Sequence, residues 1–147
     1  MGLKDCRLLH KFLNSQKLMS LATTSGFSLW STPLKFWNDK FLNIYFISGG
    51  YTKHANNITN NHRVSLSVFD SKQAPNEKLS FQASGFCEKL NGLTSEKILD
   101  KWNKKFESRT VTLEDLKRID SSIFKIVLTK AKYTNTNLYE KVLEIDL

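Results

Sequence analysis

The sequence predicts a small antiparallel β-barrel with helices at its periphery. Six or more segments have the apolar alternation or the aromatic and β-branched content of strands, and most of the connections between them are short. Helix-like segments stand at the beginning of the chain and at a crossover, so strands and helices do not alternate as they do around a parallel sheet. Closure into a barrel also removes the exposed edges that a long open sheet would leave.

Length and composition predict one globular domain. The 147 residues are enough to bury a proper core, and 40% hydrophobic with 24% charged residues is typical of a folded chain. We therefore expect a single domain over residues 1–147, with an N-terminal helix over about 3–16 and a helical insertion over about 94–120.

The first half of the chain predicts two helices around three strands. Proline cannot donate to a ladder, so Pro33 marks an edge or a bulge, and Thr52 is suited to cap the second helix. Ser25-Gly26 and Asn38-Asp39-Lys40 read as connections between strands. The predicted elements are a helix over 3–16, strands over 17–24, 27–37 and 41–48, and a helix over 52–61.

The second half predicts four more strands and two more helices. Gly85 interrupts a long strand, which indicates a bulge or a close backbone approach. Thr112 to Asp115 resembles a capping box at the start of a short helix. The predicted elements are strands over 63–69, 78–90, 123–132 and 139–145, a helix over 94–106 and a helix opening at Thr112.

The most informative stretch joins the strand 41–48 to the helix that follows it. Gly49 and Gly50 end the strand, and adjacent glycines permit positive φ or a close approach to a ligand. Thr52, Lys53 and His54 then place a hydroxyl, an ammonium and an imidazole at a helix N-terminus, where amide N–H groups and partial positive charge favour an anion. This pattern predicts a phosphate site, although it lacks the GxxxxGK[ST] spacing of a P-loop.

Net charge and cysteine usage say less about function than this stretch does. The 22 Lys and Arg against 14 Asp and Glu give +8, but the basic residues are scattered and no nucleic-acid-binding motif accompanies them. Cys6 and Cys87 stand far apart, as expected for reduced thiols that serve in packing. No apolar run approaches the 18 residues of a membrane span, so we expect a cytoplasmic protein.

The spacing of residues in the sequence matches no catalytic motif. The three histidines show no HxxxH or HxE spacing, and no GxSxG elbow is present. These patterns leave a binding protein or an enzyme whose chemistry belongs to a cofactor. Aromatic residues cluster around the glycine pair, where they could form either barrel core or the walls of a planar ligand site.

Several motifs together resemble the FMN-binding split barrels of the pyridoxamine 5'-phosphate oxidase family, and in particular a short bacterial branch of it. Those proteins share an "LAT" first strand, a hydroxyl and basic phosphate segment, an "N-P-x-V" approach to the next strand and a glycine-containing strand. The matching stretches are Leu21–Thr24, Thr52–Ile58, Asn61–Leu66, Phe81–Glu88 and Lys132–Asn137.

The resemblance implies a fold, a cofactor and site residues. The fold is an antiparallel, Greek-key-like split barrel, and the protein is a homodimer with FMN between its subunits. Ser48, Thr52 and Lys53 are implied to contact the FMN phosphate, with His54 at a second basic position where lysine or arginine is commoner. The flavin ring is implied to lie along Ser31, Thr32, Pro33 and Leu34. Lys35 is the candidate for the basic residue of that strand.

Three functions follow from these observations. The first is an FMN-dependent oxidoreductase acting on an unidentified small substrate. The second is a non-catalytic binding module on the same barrel, which holds haem or another planar cofactor or has lost its ligand. The third and weakest is anion or nucleic-acid binding driven by the net charge of +8.

Overall fold

A computed structural model of the protein describes residues 3–91, 94–107, 110–137 and 143–147. Within these ranges the chain forms four helices and eight strands. In chain order they are α1 (Leu3–Ser15), β1 (Leu18–Ser25), β2 (Ser28–Lys35), β3 (Trp37–Asn38), β4 (Ile44–Gly49), α2 (Lys53–Asn60), β5 (Arg63–Phe69), β6 (Leu79–Lys89), α3 (Thr94–Phe106), α4 (Leu113–Arg118), β7 (Ser121–Asn135) and β8 (Leu143–Asp146).

The strands form one antiparallel sheet in the order β2-β1-β5-β6-β7-β4-β3, with β8 also paired to β7. The sheet curls around a core of apolar side chains, and helices α1 and α2 contribute Leu9, Leu13, Ala55 and Ile58 to that core. This architecture confirms the predicted antiparallel split barrel. β2 lies at one edge of the sheet, as Pro33 indicated.

Strict alternation makes β5 a strand with one buried face. Val64, Leu66 and Val68 are buried, while the residues between them are exposed or half-buried. Successive side chains of a strand point to opposite faces, so this pattern fixes which face of the sheet meets the core. The strand has the bounds that the alternation predicted.

Strand β4 is buried on both faces, which explains its continuous apolar sequence. Ile44 and Phe46 belong to the barrel core. Tyr45 belongs to a second apolar cluster, in which α3 and α4 pack on the outside of the sheet through Ile98, Leu99 and Leu116. The helical insertion therefore covers the outer face of β4.

The predicted strand over 27–37 is wrong as one element, because the chain leaves the β1 ladder at Phe36. The Phe36 side chain is fully buried and its amide donates to the Lys17 carbonyl at 3.3 Å. Trp37 and Asn38 then pair with β4 as the separate strand β3, at the other edge of the sheet. Burial of one large aromatic side chain thus turns the chain from one edge to the other.

Strand β4 begins three residues later than predicted, because Asp39 organises a turn. Its carboxylate accepts hydrogen bonds from the amides of Phe41 and Asn43 at 2.8 and 3.0 Å. Leu42 in this turn has a positive φ of 64°. At the other end of the chain, β7 is longer than the predicted 123–132, and β8 covers the end of the predicted 139–145, of which 138–142 lie outside the described residues.

Two local sequence predictions for the second half are confirmed. Thr112 and Asp115 form a reciprocal capping box at the start of α4. Gly85 lies where the β6–β7 register shifts between Ser84 and Gly85. A Cβ at Gly85 would overlap the Val127 carbonyl oxygen and lie 2.9 Å from the Leu128 Cα, so only glycine allows the two backbones to approach this closely.

We expect Gly85→Ala to destabilise the fold by roughly 2–3 kcal/mol, because the added methyl meets backbone that cannot move aside. Urea denaturation followed by tryptophan fluorescence measures the loss. Gly50→Ala is the matched control, since its Cβ would meet the Asp120 carboxylate at an ordinary 3.5 Å. Equal stabilities of the two variants would contradict the assigned backbone contact.

Lys105 ties helix α3 to helix α1. Its Nζ donates to the Leu13 carbonyl at 3.3 Å and lies 4.1 Å from the Phe36 ring centroid. Burial lowers the pKa of Lys105 to about 8, against an ordinary value of 10.5. Above pH 8 the unfolded chain therefore binds more protons at this site than the folded chain, and stability rises with pH.

We expect the free energy of unfolding to rise between pH 8 and 9, by less than about 1 kcal/mol after solvent screening, and Lys105→Met to remove this rise. Above pH 9 this rise is offset, because burial raises the pKa of Cys87 to about 12 from 9.0 and the folded chain then binds the extra proton at Cys87. Urea midpoints at the two pH values measure the effect, with Lys104→Met, at an exposed neighbour, as the control. A rise retained in Lys105→Met would refute the assignment.

Candidate functional site

The candidate site lies where β4 ends and α2 begins. β4 pairs with β7 up to Gly49 opposite Ser121, and the amide of Gly50 then donates to the Asp120 carbonyl at 3.0 Å. On the other side, the Asn57 amide group donates to the Thr23 hydroxyl of β1 at 3.1 Å. These contacts hold the first turn of α2 between two strands of the barrel.

Thr52 caps helix α2, as predicted. Its hydroxyl accepts a hydrogen bond from the Ala55 amide at 3.3 Å and donates to the Gly49 carbonyl at 2.9 Å. The first turn of α2 carries no acidic residue, whereas α4 has Asp115 at its own N-terminus. The partial positive charge of the α2 N-terminus is therefore not matched by a carboxylate of its own first turn.

Ser48, Thr52 and His54 form what we call the hydroxyl–imidazole cluster. The His54 Nε2 lies 2.6 Å from the Ser48 hydroxyl and 3.2 Å from the Thr52 hydroxyl, and the two hydroxyls are 3.1 Å apart. Ser48 and His54 are only 7% and 6% exposed. The structure thus brings three of the predicted site residues together in a buried network.

His54 sits on the inner side of that network. Its ring contacts the Phe46 ring, with centroids 6.3 Å apart, and burial lowers the pKa of His54 below its ordinary value of 6.5. Burial therefore favours the neutral form of the imidazole. A direct contact between His54 and a phosphate remains a prediction. The hydroxyls of Ser48 and Thr52 both lie within 3.2 Å of Nε2 and are its polar neighbours in the cluster.

Lys53 points the other way, toward strand β2. Its side chain is exposed and its Nζ lies 4.7 Å from the Trp30 ring centroid. This cation–π contact places an ammonium at the N-terminus of α2 while leaving it open to solvent. Trp30 is one of the aromatic residues that cluster around the glycine pair in the sequence. Its contact with Lys53 joins residues 23 positions apart and has no local sequence signal.

The strand that was predicted to line the flavin ring does not present one surface. Thr32 and Leu34 share the face of β2 that carries Trp30, while Ser31 and Pro33 point to the opposite face. The Ser31 hydroxyl lies 2.9 Å from that of Ser20 on β1. Lys35 is directed to α3, where its Nζ is 5.4 Å from the Phe106 ring centroid.

The two glycines differ in how closely they are packed, and only Gly49 has a short contact at the Cβ position. The left-handed glycine among the described residues is Gly26, at φ 57°, so neither Gly49 nor Gly50 uses a positive φ. A Cβ at Gly49 would lie 2.6 Å from the ring of Tyr51, whose side chain is largely exposed. Asp120 beside Gly50 was missed by sequence reasoning, because 70 positions separate the two residues.

A groove of about 680 Å³ runs over the outer face of the sheet. Small hydroxyl residues dominate its lining, and Lys130, Lys132 and Glu144 stand at one end. The serines are Ser20, Ser31, Ser65, Ser67 and Ser84. These serines come from β1, β2, β5 and β6, so their common surface depends on the sheet order.

Metal-binding clusters and membrane spans are both absent from the part of the chain that the structure describes. Within residues 3–91, 94–107, 110–137 and 143–147, no group of three or more His, Cys, Asp or Glu side chains is arranged to hold a metal ion. No helix in the same ranges has the length and apolar character needed to cross a membrane.

The antiparallel split barrel, with a helix that begins after β4, defines the class of protein: the chain is a split-barrel protein. The family model for pyridoxamine 5'-phosphate oxidase matches residues 8–135. The chain therefore belongs to the pyridoxamine 5'-phosphate oxidase family, as the sequence motifs predicted. A search of functionally curated proteins finds no significant match.

Solved structures share the fold at low sequence identity. A Clostridium acetobutylicum protein related to general stress protein 26, of the pyridoxinephosphate oxidase family, has a TM-score of 0.72 at 12% identity over 100% of this chain and 97% of that one. Campylobacter jejuni ChuZ has a TM-score of 0.79 at 15% identity, with coverages of 99% and 61%. A heme binding protein from Mycobacterium smegmatis has 0.70 at 14%, with coverages of 99% and 59%.

This chain spans about three fifths of the length of the last two proteins. At these identities the likeness shows a common fold.

We expect Thr52→Ala to destabilise the protein by about 1–2 kcal/mol, because it removes the cap of α2 and a partner of His54. Thr52→Ser keeps the hydroxyl and is the matched control, which should remain close to the wild type. Urea denaturation followed by circular dichroism measures both variants. A Thr52→Ala protein as stable as the wild type would show that the cap and the cluster contribute nothing.

Proposed function

We propose that the protein is an FMN-binding flavoprotein that catalyses a redox reaction on a small substrate. The observation that carries this proposal is the exposed ammonium of Lys53 at a capped helix N-terminus whose first turn holds no carboxylate. A phosphate is the anion that such a site favours, because amide N–H groups and a point charge converge on it. Family membership makes FMN the proposed source of that phosphate.

The residues of this chain fit the phosphate of FMN. The amides of Lys53 and His54 belong to the first turn, where the helix itself provides no acceptor. Lys53 adds a charge and Thr52 a hydroxyl, which Ser48 and His54 hold in place. When bound, the flavin supplies the capacity to accept and donate electrons or a hydride.

The flavin ring is proposed to lie beside the face of β2 that carries Trp30, Thr32 and Leu34. This face adjoins the α2 N-terminus, since Lys53 already contacts Trp30. Ser31 and Pro33 on the opposite face are proposed to act from a second copy of the chain or to support the strand. The proposed ring site therefore uses two of the four predicted wall residues directly.

A homodimer would complete this open site. The family is commonly dimeric, and the serine-lined groove on the outer face of the sheet offers a surface of small side chains that a second sheet could approach closely. Ser31 lines that groove while Trp30 and Thr32 face the proposed ring site. A partner seated on the groove would thus reach the proposed ring site around the sheet edge that β2 forms. We propose a cytoplasmic location, on the basis of the thiols and the absence of a spanning helix among the described residues.

A second candidate function is a non-catalytic binding module for haem or another planar cofactor. The similarity of fold to a heme binding protein from Mycobacterium smegmatis favours it, as does the neutral, buried His54 where a cation is commoner. Both functions use the same barrel and differ in the ligand.

Mass spectrometry of the small molecules that co-purify with the native protein separates the two candidates. Calorimetric titration of the ligand-free protein with FMN and with hemin then gives both affinities under one set of conditions. Flavin binding at micromolar concentration supports the first function. Hemin binding without flavin binding supports the second function. If neither ligand binds, both candidate functions are ruled out.

We expect Lys53→Ala to weaken FMN binding by about 10- to 100-fold, because a charge-assisted phosphate contact of roughly 1.5–3 kcal/mol is lost. Riboflavin, which lacks the phosphate, should bind both proteins equally. Lys40→Ala is the matched control, because its Nζ also lies over an exposed aromatic ring, 4.9 Å from the Phe41 centroid. Equal losses for FMN and riboflavin would place the phosphate elsewhere.

A further inference from the structure

We propose that binding of the FMN phosphate is coupled to the uptake of one proton by His54, which makes the site a proton-linked phosphate sensor. The inference rests on the proposed FMN site and adds a role for a residue that does not itself face the ligand. It arises from the hydroxyl–imidazole cluster of Ser48, Thr52 and His54, whose three polar atoms lie within 3.2 Å of one another.

The cluster can be satisfied in two protonation states. In the first, Nε2 of a neutral imidazole accepts the Ser48 proton at 2.6 Å, and the Thr52 hydroxyl donates to the Gly49 carbonyl at 2.9 Å. In the second, both ring nitrogens carry protons and Nε2–H donates to a hydroxyl oxygen. The Ser48 hydroxyl then turns to donate its proton to the Thr52 oxygen, and the Thr52 hydroxyl can donate its own proton to an anion.

An anion at the α2 N-terminus selects the second state. His54 is buried beside Phe46, so its positive charge is unfavourable without a nearby negative charge. A phosphate dianion supplies that charge through one intervening hydroxyl. One proton moves from a solvent or buffer acid to the imidazole, so that an N–H bond forms as the donor's bond to the proton breaks. The imidazolium then offsets one unit of the negative charge of the phosphate.

The other charged groups around His54 are few and identifiable. On α2 itself Lys53 points to Trp30, and after α4 the Asp120 carboxylate lies near Gly50. His62 and Lys89 line a small pocket with Ala55. Desolvation by burial, and not any of these charged groups, is what lowers the pKa of His54.

Calorimetric titration of the wild type with FMN between pH 7 and 8.5 tests the proposal, because the phosphate, with a second pKa near 6, is already a dianion there. We expect the FMN affinity to fall by up to about tenfold for each pH unit. Titrations in two buffers of different ionisation enthalpy should give an uptake on the order of one proton. Riboflavin should show neither effect.

His54→Gln is the test variant, because the glutamine amide can still bond to Ser48 but cannot titrate. It should bind FMN with an affinity that does not change with pH and without proton uptake. As a measurement on the unaltered chain, the NMR titration of the His54 imidazole should give a pKa below 6.5 in the free protein and a higher one with FMN bound.

The outcomes separate this inference from the proposed function. FMN binding with no proton uptake, or with uptake that persists in His54→Gln, overturns the role of His54 and leaves the flavin site intact. A protein that binds no FMN overturns both. An imidazole pKa that is unchanged by FMN likewise removes the coupling.

Discussion

The close approach of β6 and β7 at Gly85 is the constraint on which the rest of the structure depends. Without a side chain at Gly85, the Val127 carbonyl comes to where a Cβ would stand, and the ladder shifts register there. A bulge bends a strand and increases its twist, which lets one sheet curl into a barrel. β7 then carries β4 along its other edge, so the same ladder decides where β4 ends and where α2 can begin.

Burial of β4 on both faces makes its end a rigid support. Phe46 packs in the barrel core and Tyr45 under the helical insertion, so the strand cannot rotate to expose Ser48. The chain must then turn at Gly49 and Gly50, where the Asp120 carbonyl accepts the Gly50 amide. The first turn of α2 is thus held from both sides before any ligand arrives, and a site held in advance costs less ordering on binding.

Local chemistry was predictable from the sequence and distant pairing was not. The Thr52 cap and the capping box at Thr112 depend on residues within a few positions, and both were predicted. The irregularity at Gly85 was also predicted, because a glycine inside a strand is itself a local signal, but the backbone that approaches it, Val127, was not. The turn at Phe36 depends on burial of one aromatic side chain under the rest of the fold. The contact between Lys53 and Trp30, and the one between Gly50 and Asp120, join elements whose proximity only the sheet order determines. The facing of Ser31 to Leu34 likewise needed the register of β2 against β1.

In the proposed flavin site, the type of residue at position 54 decides whether its charge is fixed or depends on the ligand. A lysine or arginine at a second basic position carries its charge at every physiological pH, so it contributes the same attraction throughout. A histidine that is buried behind two hydroxyls has a lowered pKa, because desolvation opposes its charge. The hydroxyls of Ser48 and Thr52 can turn to donate in either direction, and so they transmit the difference. In the proposed site, the positive charge that the sequence predicted at His54 would therefore be one that the bound phosphate induces.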